Sequence, residues 1–179
     1  MLKEVSAGII VYRKTSEGPK FLILYHGRGY WNFPKGKIEN DIQENVEGVL
    51  RGKEKSFQAA VRETKEETGL SRNDLKFNQL FNKSSNFELE DKKQDQSNKY
   101  FKVYEKFVFW KKSGNKIEKI FKIVILYLAE TKKIDICLSN EHSGYGWFTY
   151  KEAIKILSKY KDSQKILRQA YEALGESKT

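Results

Sequence analysis

Short β-branched runs come first along the chain, and helical spacing appears only later. Val5 to Tyr12 and Lys20 to Tyr25 are two such runs, and Lys14-Thr15-Ser16-Glu17-Gly18-Pro19 between them is turn material, so the pattern predicts a hairpin. Gly27 to Gly36 holds three glycines, a proline and three aromatics, which is loop composition. Asp41 to Lys55 is polar without a sustained period. From Ser56, a suitable N-cap, the residues Phe57, Ala60, Val61, Thr64 and Thr68 recur at helical spacing until Gly69 supplies a left-handed stop, which predicts a helix of about three turns. Leu75 to Phe81 reads as a strand, and Asn82 to Asn98, dense in Asn, Ser, Asp, Lys and Gln, as a long mobile loop. Phe101 to Trp110 alternates aromatics with charge, Lys111 to Asn115 turns at Ser113-Gly114-Asn115, and Ile117 to Glu130 is the most β-like stretch. These predict a second hairpin. Trp147 to Tyr150 is a short final strand. Two helical patterns follow: Lys151 to Tyr160, with Ala153, Ile156, Leu157 and Tyr160 on one side, and Ser163 to Leu174, with Ile166, Leu167, Ala170 and Leu174.

Composition narrows the class. The 179 residues, 39% hydrophobic and 13% aromatic, suffice for one core, and without a repeat or a linker a single domain over 1–179 is the expectation. The longest apolar run, Ile123 to Ala129, is far short of the roughly 20 residues that span a bilayer. The N-terminus lacks a secretory pattern, so no membrane partner and a cytoplasmic location are expected, as a monomer. The lone Cys137 cannot form an internal disulfide and reads as a small buried apolar residue. With two histidines in the chain, no Cys/His zinc site can be assembled, so any metal is held by oxygen, which points to Mg²⁺ or Mn²⁺. The net charge of +10 favours anionic partners, although lysine is spread along the whole chain and a solvated surface accounts for most of it.

Chemistry concentrates on the first predicted helix. At about 100° per residue, Glu63, Glu66 and Glu67 fall within about 100° of one another. Like charges at these spacings repel, so such a face is either solvated or holds a cation. The line Gly48-x5-Glu54-x7-Arg62-Glu63-Thr64-x-Glu66-Glu67-x-Gly69-Leu70 resembles the Nudix box, G-x5-E-x7-R-E-U-x-E-E-x-G-U, with Thr64 in place of an aliphatic residue. The resemblance implies that Glu63, Glu66 and Glu67 are metal ligands and that Arg62 holds a glutamate by ion pairing. Glu54 would sit near the metal or brace the loop. A second alignment takes Phe33-Pro34-Lys35-Gly36-Lys37-Ile38-Glu39 as the start of the box. It makes Gly36 the structural glycine, its carbonyl reaching the metal, and Gly48 a coincidence. Gly36 is preferred because Trp31, Pro34 and Lys35 also match; an insertion then falls near 40–51 and another at 82–98.

A further segment, Glu141-His142-Ser143-Gly144-Tyr145-Gly146-Trp147, is similar to the E-H-x-x-Y-x-W stretch of the asymmetric diadenosine tetraphosphate hydrolases within that family, as is Val124 to Glu130. This resemblance implies that Tyr145 stacks on an adenine, that Lys35 and either Lys122 or Lys119 meet phosphates, and that Tyr104 is a second stacking ring. Glu141 becomes a general base or an additional metal ligand. Trp147 reads as core, and His142 as a residue bracing its loop by hydrogen bonding. The implied fold is α/β, a mixed β-sheet sandwiched between helices. The implied reaction is metal-dependent cleavage of a nucleoside polyphosphate, diadenosine tetraphosphate to ATP and AMP. Three alternatives stay open: an RNA 5′-end pyrophosphohydrolase or decapping enzyme, favoured by the charge and the basic Tyr100 to Lys122 hairpin; an oxidised-nucleotide pyrophosphatase; and a non-catalytic nucleotide-binding module.

Overall fold

The computed structural model describes residues 2–39, 54–79, 100–113 and 116–175. Its strands are β1 (Leu2–Thr15), β2 (Gly18–Tyr25), β3 (Trp31–Asn32), β4 (Lys35–Lys37), β5 (Lys76–Phe77), β6 (Lys102–Ser113), β7 (Lys116–Glu130) and β8 (Gly144–Thr149). Its helices are α1 (Ser56–Thr68), α2 (Tyr150–Ile156) and α3 (Lys161–Ala173).

All these strands join one mixed sheet, with β1 as its spine. β1 runs parallel to β7, from Leu2 beside Ile120 to Tyr12 beside Glu130. Its other edge is divided: Tyr12–Thr15 pairs with β2, whereas Ser6–Gly8 pairs with β4, both antiparallel. β2 therefore leaves β1 after the hairpin, takes β3 and β8 as partners, and opens the gap into which β4 fits. β5 and β6 pair with β7.

The pleat alternates side chains between two cores. Ala7, Ile9 and Val11 of β1 and Tyr127 and Ala129 of β7 meet Ala59 and Ala60 of α1. Ile10, Tyr12, Val124, Leu126 and Leu128 meet Ala153, Leu157, Ile166, Leu167 and Ala170 of the C-terminal helices. Ile9, Ile10 and Val11 are all fully buried, as expected where a parallel pair is covered on both faces. The expected α/β/α sandwich is the architecture found.

Several local expectations change in tertiary context. The N-cap of α1 is the extended Lys55, not Ser56. Gln58 Oε1 accepts the Lys55 N–H at 3.2 Å, leaving the Ser56 hydroxyl to bond Tyr127 Oη at 2.8 Å and tie the helix to the sheet. Gly69 ends the helix as expected, at φ 72°. The segment expected to be loop from Gly27 to Gly36 contains β3 and most of β4, which are too short to show a period. Of the strand expected over Leu75 to Phe81, Lys76–Phe77 pairs with β7, followed by an isolated bridge from Gln79 to Tyr100. β8 starts three residues before Trp147, because Gly144 and Gly146 hide the alternation. α2 stops at Ile156, with Leu157 as its C-cap. Cys137 is exposed, not buried: its loop lies over the end of α1, with Cys137 N–H donating to the Thr68 carbonyl at 3.0 Å and Ser139 N–H to that of Glu67 at 3.2 Å. These bonds satisfy helix-terminal acceptors that would otherwise have no partner. Gly48, the two insertions and the Gly114-Asn115 turn lie outside the described residues.

Thr64, the residue that departs from the box pattern, is fully buried and its hydroxyl has no hydrogen-bond partner. Thr64→Val removes that unsatisfied hydroxyl without changing shape, so it should stabilise the fold by about 1 kcal/mol. Thermal denaturation should show Tm rising by roughly 2–4 °C; a lower Tm would contradict the packing described.

Candidate active site

The carboxylates of α1 are presented to β4 because the divided edge of β1 brings that strand beside the helix. Glu67 is 8% exposed, and its Oε2 accepts the backbone N–H of Lys35 at 2.9 Å. Glu63 lies across Gly36 so closely that a Cβ at that position would fall 1.9 Å from the Glu63 carboxyl carbon. Only glycine leaves room there. Arg62 gathers the remaining groups. Its Nε and Nη2 donate to Glu54 at 2.9 and 3.0 Å, its Nη1 to Glu63 at 2.9 Å and Glu66 at 3.1 Å, and its Nη2 to the Lys37 carbonyl at 3.0 Å. Glu54 also accepts the Glu39 N–H at 2.9 Å, so it braces the chain where it leaves β4.

Burial pushes the Glu54 carboxyl up, but the hydrogen bonds from Arg62 and from Glu39 outweigh it and leave the group below its ordinary value. Glu63 stands above its ordinary value: burial raises it, Arg62 offsets part of this, and Glu66 and Glu54 add repulsion. Glu67 is pushed up to about 7, chiefly by burial and further by Glu63 and Glu141, against the pull of the Lys35 N–H and charge. Negative charge on Glu63 and Glu67 is thus undercompensated by the protein.

Both histidines of the chain adjoin this cluster. His142 Nδ1 bonds Ser139 Oγ at 2.9 Å, the loop-bracing role expected. Its Nε2 is 3.5 Å from Glu67 Oε1, outside hydrogen-bonding geometry, and has no partner. The His26 ring lies 4.3 Å from that of His142, and its Nε2 is also unpartnered. Burial, with repulsion from His142 and Lys35, takes His26 down to about 4. Burial lowers His142 too, while Glu141 opposes the shift. His26 belongs to no motif, and only the pairing of β2 with β8, with the Ser143 N–H donating to the Tyr25 carbonyl, brings it to His142.

The Lys35 ammonium faces a second group of charges. Burial lowers its pKa, and Glu67, Glu105 and Glu63 pull it up. Glu105 is raised by burial against Lys35 and Lys122. Lys122 stands opposite Glu4 in register, with its Nζ 4.0 Å from that carboxylate, and burial and Lys35 lower its pKa. Lys119 lies beyond the last β1 pair and sits over the Trp110 ring. The fold therefore brings Lys122, not Lys119, to Lys35. Tyr145 is 37% exposed opposite Leu24. Tyr104 is 51% exposed and, next to Glu105 in the strand, points to the other sheet face, away from the Lys35 group. Glu141 is exposed on the turn before β8 and influences both Glu67 and His142. Trp147 packs with the α1-side core and donates Nε1–H to the Ile134 carbonyl at 2.8 Å. Sequence reading missed His26, Glu105 and Glu4, which no local spacing marks.

The donor set is all oxygen, and Gly36 leaves a cradle that Glu63 fills; both suit a hard divalent cation. Among the described residues, no three Asp, Glu, His or Cys side chains converge closely enough to share an ion as they stand. Arg62 holds Glu63 and Glu66, while Glu67 is held by Lys35.

The NUDIX domain model matches residues 2–170. The chain belongs to the Nudix family. It is a Nudix-type pyrophosphohydrolase. It is 27% identical to the asymmetrical bis(5′-nucleosyl)-tetraphosphatase of Sus scrofa, covering 94% of each chain, and 26% identical to that of Caenorhabditis elegans, covering 91% of each. The fold agrees with that of a Caenorhabditis elegans Ap4A hydrolase binary complex at a TM-score of 0.63, with 24% identity over 96% of this chain and 98% of the other.

Two outcomes follow from this geometry. The Glu67 pKa in the fold, about 7, exceeds its ordinary 4.5, so the metal-free protein loses stability as pH rises through that window, by up to about 3 kcal/mol. Glu67→Gln keeps the acceptor for Lys35 N–H and escapes the loss. In EDTA, the variant's Tm advantage should grow from pH 5 to pH 8; a difference independent of pH would contradict the burial of this carboxyl. Gly36→Ala should lower Tm by several degrees, since the added methyl must displace Glu63 at a cost of about 1–3 kcal/mol, and an unchanged Tm would refute the close approach.

Proposed function

We propose that this Nudix hydrolase cleaves diadenosine tetraphosphate asymmetrically, with one water, to ATP and AMP. The observation that carries the reading is the near full-length match to relatives of that name. The site supports it with buried carboxylates on one side of β4 and the Lys35 and Lys122 ammoniums nearby.

Glu63, Glu66, Glu67 and the Gly36 carbonyl would hold Mg²⁺ or Mn²⁺. A bound ion of this kind neutralises phosphate oxygens and lowers the pKa of water. Arg62 is a positioning residue, orienting Glu63 and Glu66. Lys35 and Lys122 offset the charge of the polyphosphate chain. Glu141, exposed on its turn and close enough to influence Glu67, takes the proton of the attacking water as general base. The water oxygen forms the new bond to phosphorus as the anhydride bond breaks. Tyr145 offers a ring face to one adenine, whereas Tyr104, on the other face of the sheet from the Lys35 group, does not serve this site.

The test is product analysis with Mg²⁺ and diadenosine tetraphosphate, a triphosphorylated RNA in parallel, and Glu67→Gln as control. ATP plus AMP is expected, with kcat at least about a hundredfold lower in the variant. Two ADP, or phosphate and pyrophosphate released from the RNA alone, would overturn the assignment.

A further inference from the structure

The β6–β7 ribbon leaves the body of the sheet at its turn end. β1 pairs with β7 only from Ile120 onward, so among the described residues Trp110 to Ser113 and Lys116 to Lys119 pair only with each other. Cross-strand partners share a face. The register therefore sets Tyr104, Lys106, Val108, Trp110 and Lys112 of β6 beside Ile117, Lys119, Phe121, Ile123 and Ile125 of β7. Glu105 and Glu118 both fall on the opposite face. Among the described residues of the ribbon, the first face carries no carboxylate.

This face is also open. Tyr104 is 51% exposed, Val108 47%, Trp110 67% and Ile117 70%, and Lys106, Lys112 and Lys119 are exposed among them. Lys119 Nζ stands 5.8 Å from the Trp110 ring centroid. Lysines on an edge strand discourage strand pairing, which would account for the ammonium groups. They do not account for a tryptophan two-thirds exposed between them, because a contiguous apolar strip on an edge invites association. Exposed rings interspersed with ammoniums, Tyr104 and Trp110 among Lys106, Lys112 and Lys119, suit a ligand that offers flat apolar faces joined by regularly spaced negative charges.

We propose that this face binds a single-stranded polynucleotide, with Trp110 stacking on a base and Lys106, Lys112 and Lys119 meeting phosphates. The face offers no amide and no aliphatic hydroxyl to read a sugar, so RNA and DNA strands bind alike. The surface is distinct from the carboxylate site and does not depend on the substrate assigned there.

The test is fluorescence anisotropy of the full chain with end-labelled U20 and dT20 at 50 and 200 mM salt. U20 should bind, weakening about twentyfold over that range for three neutralised phosphates, with dT20 within about threefold of it. Trp110→Ala should weaken binding about tenfold, and Lys106→Glu with Lys112→Glu should weaken it further and flatten the salt response. Both variants should keep wild-type circular dichroism and hydrolytic rate, since neither touches the carboxylate site. No binding by the wild-type chain, or equal binding by wild type and Trp110→Ala, would overturn the proposal. So would a dimer in sedimentation that Trp110→Ala dissolves without any polynucleotide binding, which would give the face to a second copy of the chain.

Discussion

Four glutamates crowd the start of the site, and their mutual repulsion is the constraint the rest of the structure must meet. Glu63, Glu66 and Glu67 lie within one turn of helix, and Glu54 is brought back against them. A single guanidinium cannot neutralise all four, so the work is divided. Arg62 takes Glu54, Glu63 and Glu66, and the backbone N–H of Lys35 takes Glu67. Both arrangements require β4 at a fixed place beside α1, and the Arg62 bond to the Lys37 carbonyl holds it there. The divided edge of β1 exists to admit that short strand.

What this arrangement leaves is a buried carboxyl, Glu67, and a partly buried one, Glu63, whose charge the protein alone does not balance. Such a group stays protonated or acquires a cation, and burial decides how sharply the two compete. The same burial lowers Lys35 and Lys122, so Glu63, Glu67, Lys35 and Lys122 are each held away from their ordinary values. Strongly perturbed groups set against a specific charge partner are what a polyanionic substrate and its counterion would meet. His142 stands beside Glu67 with His26 behind it, and burial lowers the pKa of both rings.

The long β6–β7 ribbon serves two ends of the molecule differently. Its inner half completes the sheet, supplying Glu105 and Lys122 to the Lys35 group, while its outer half, paired only with itself among the described residues, carries the exposed Trp110 among Lys112 and Lys119. One pair of strands thus belongs to the site at one end and forms a separate surface at the other.

Helix α1 was legible from one residue after another: the Phe57-to-Thr68 period, Gly69 as its stop, and three glutamates on one face follow from local spacing, since a helix brings together residues three and four apart. The two hairpins and the C-terminal helices were legible for the same reason. Short edge strands were not, because β3 and β4 owe their existence to partners far along the chain rather than to any pattern within two or three residues. Nor could spacing tell which lysine joins Lys35; register with Glu4 selects Lys122 and strands Lys119 on the ribbon. The burial of Glu67 and the meeting of His26 with His142 were likewise decided in three dimensions. Local sequence, then, determined which carboxylates share a face. Long-range strand pairing decided which backbone N–H, which glycine and which amine stand against them, because those contacts are set by the register of β1, β4 and β7.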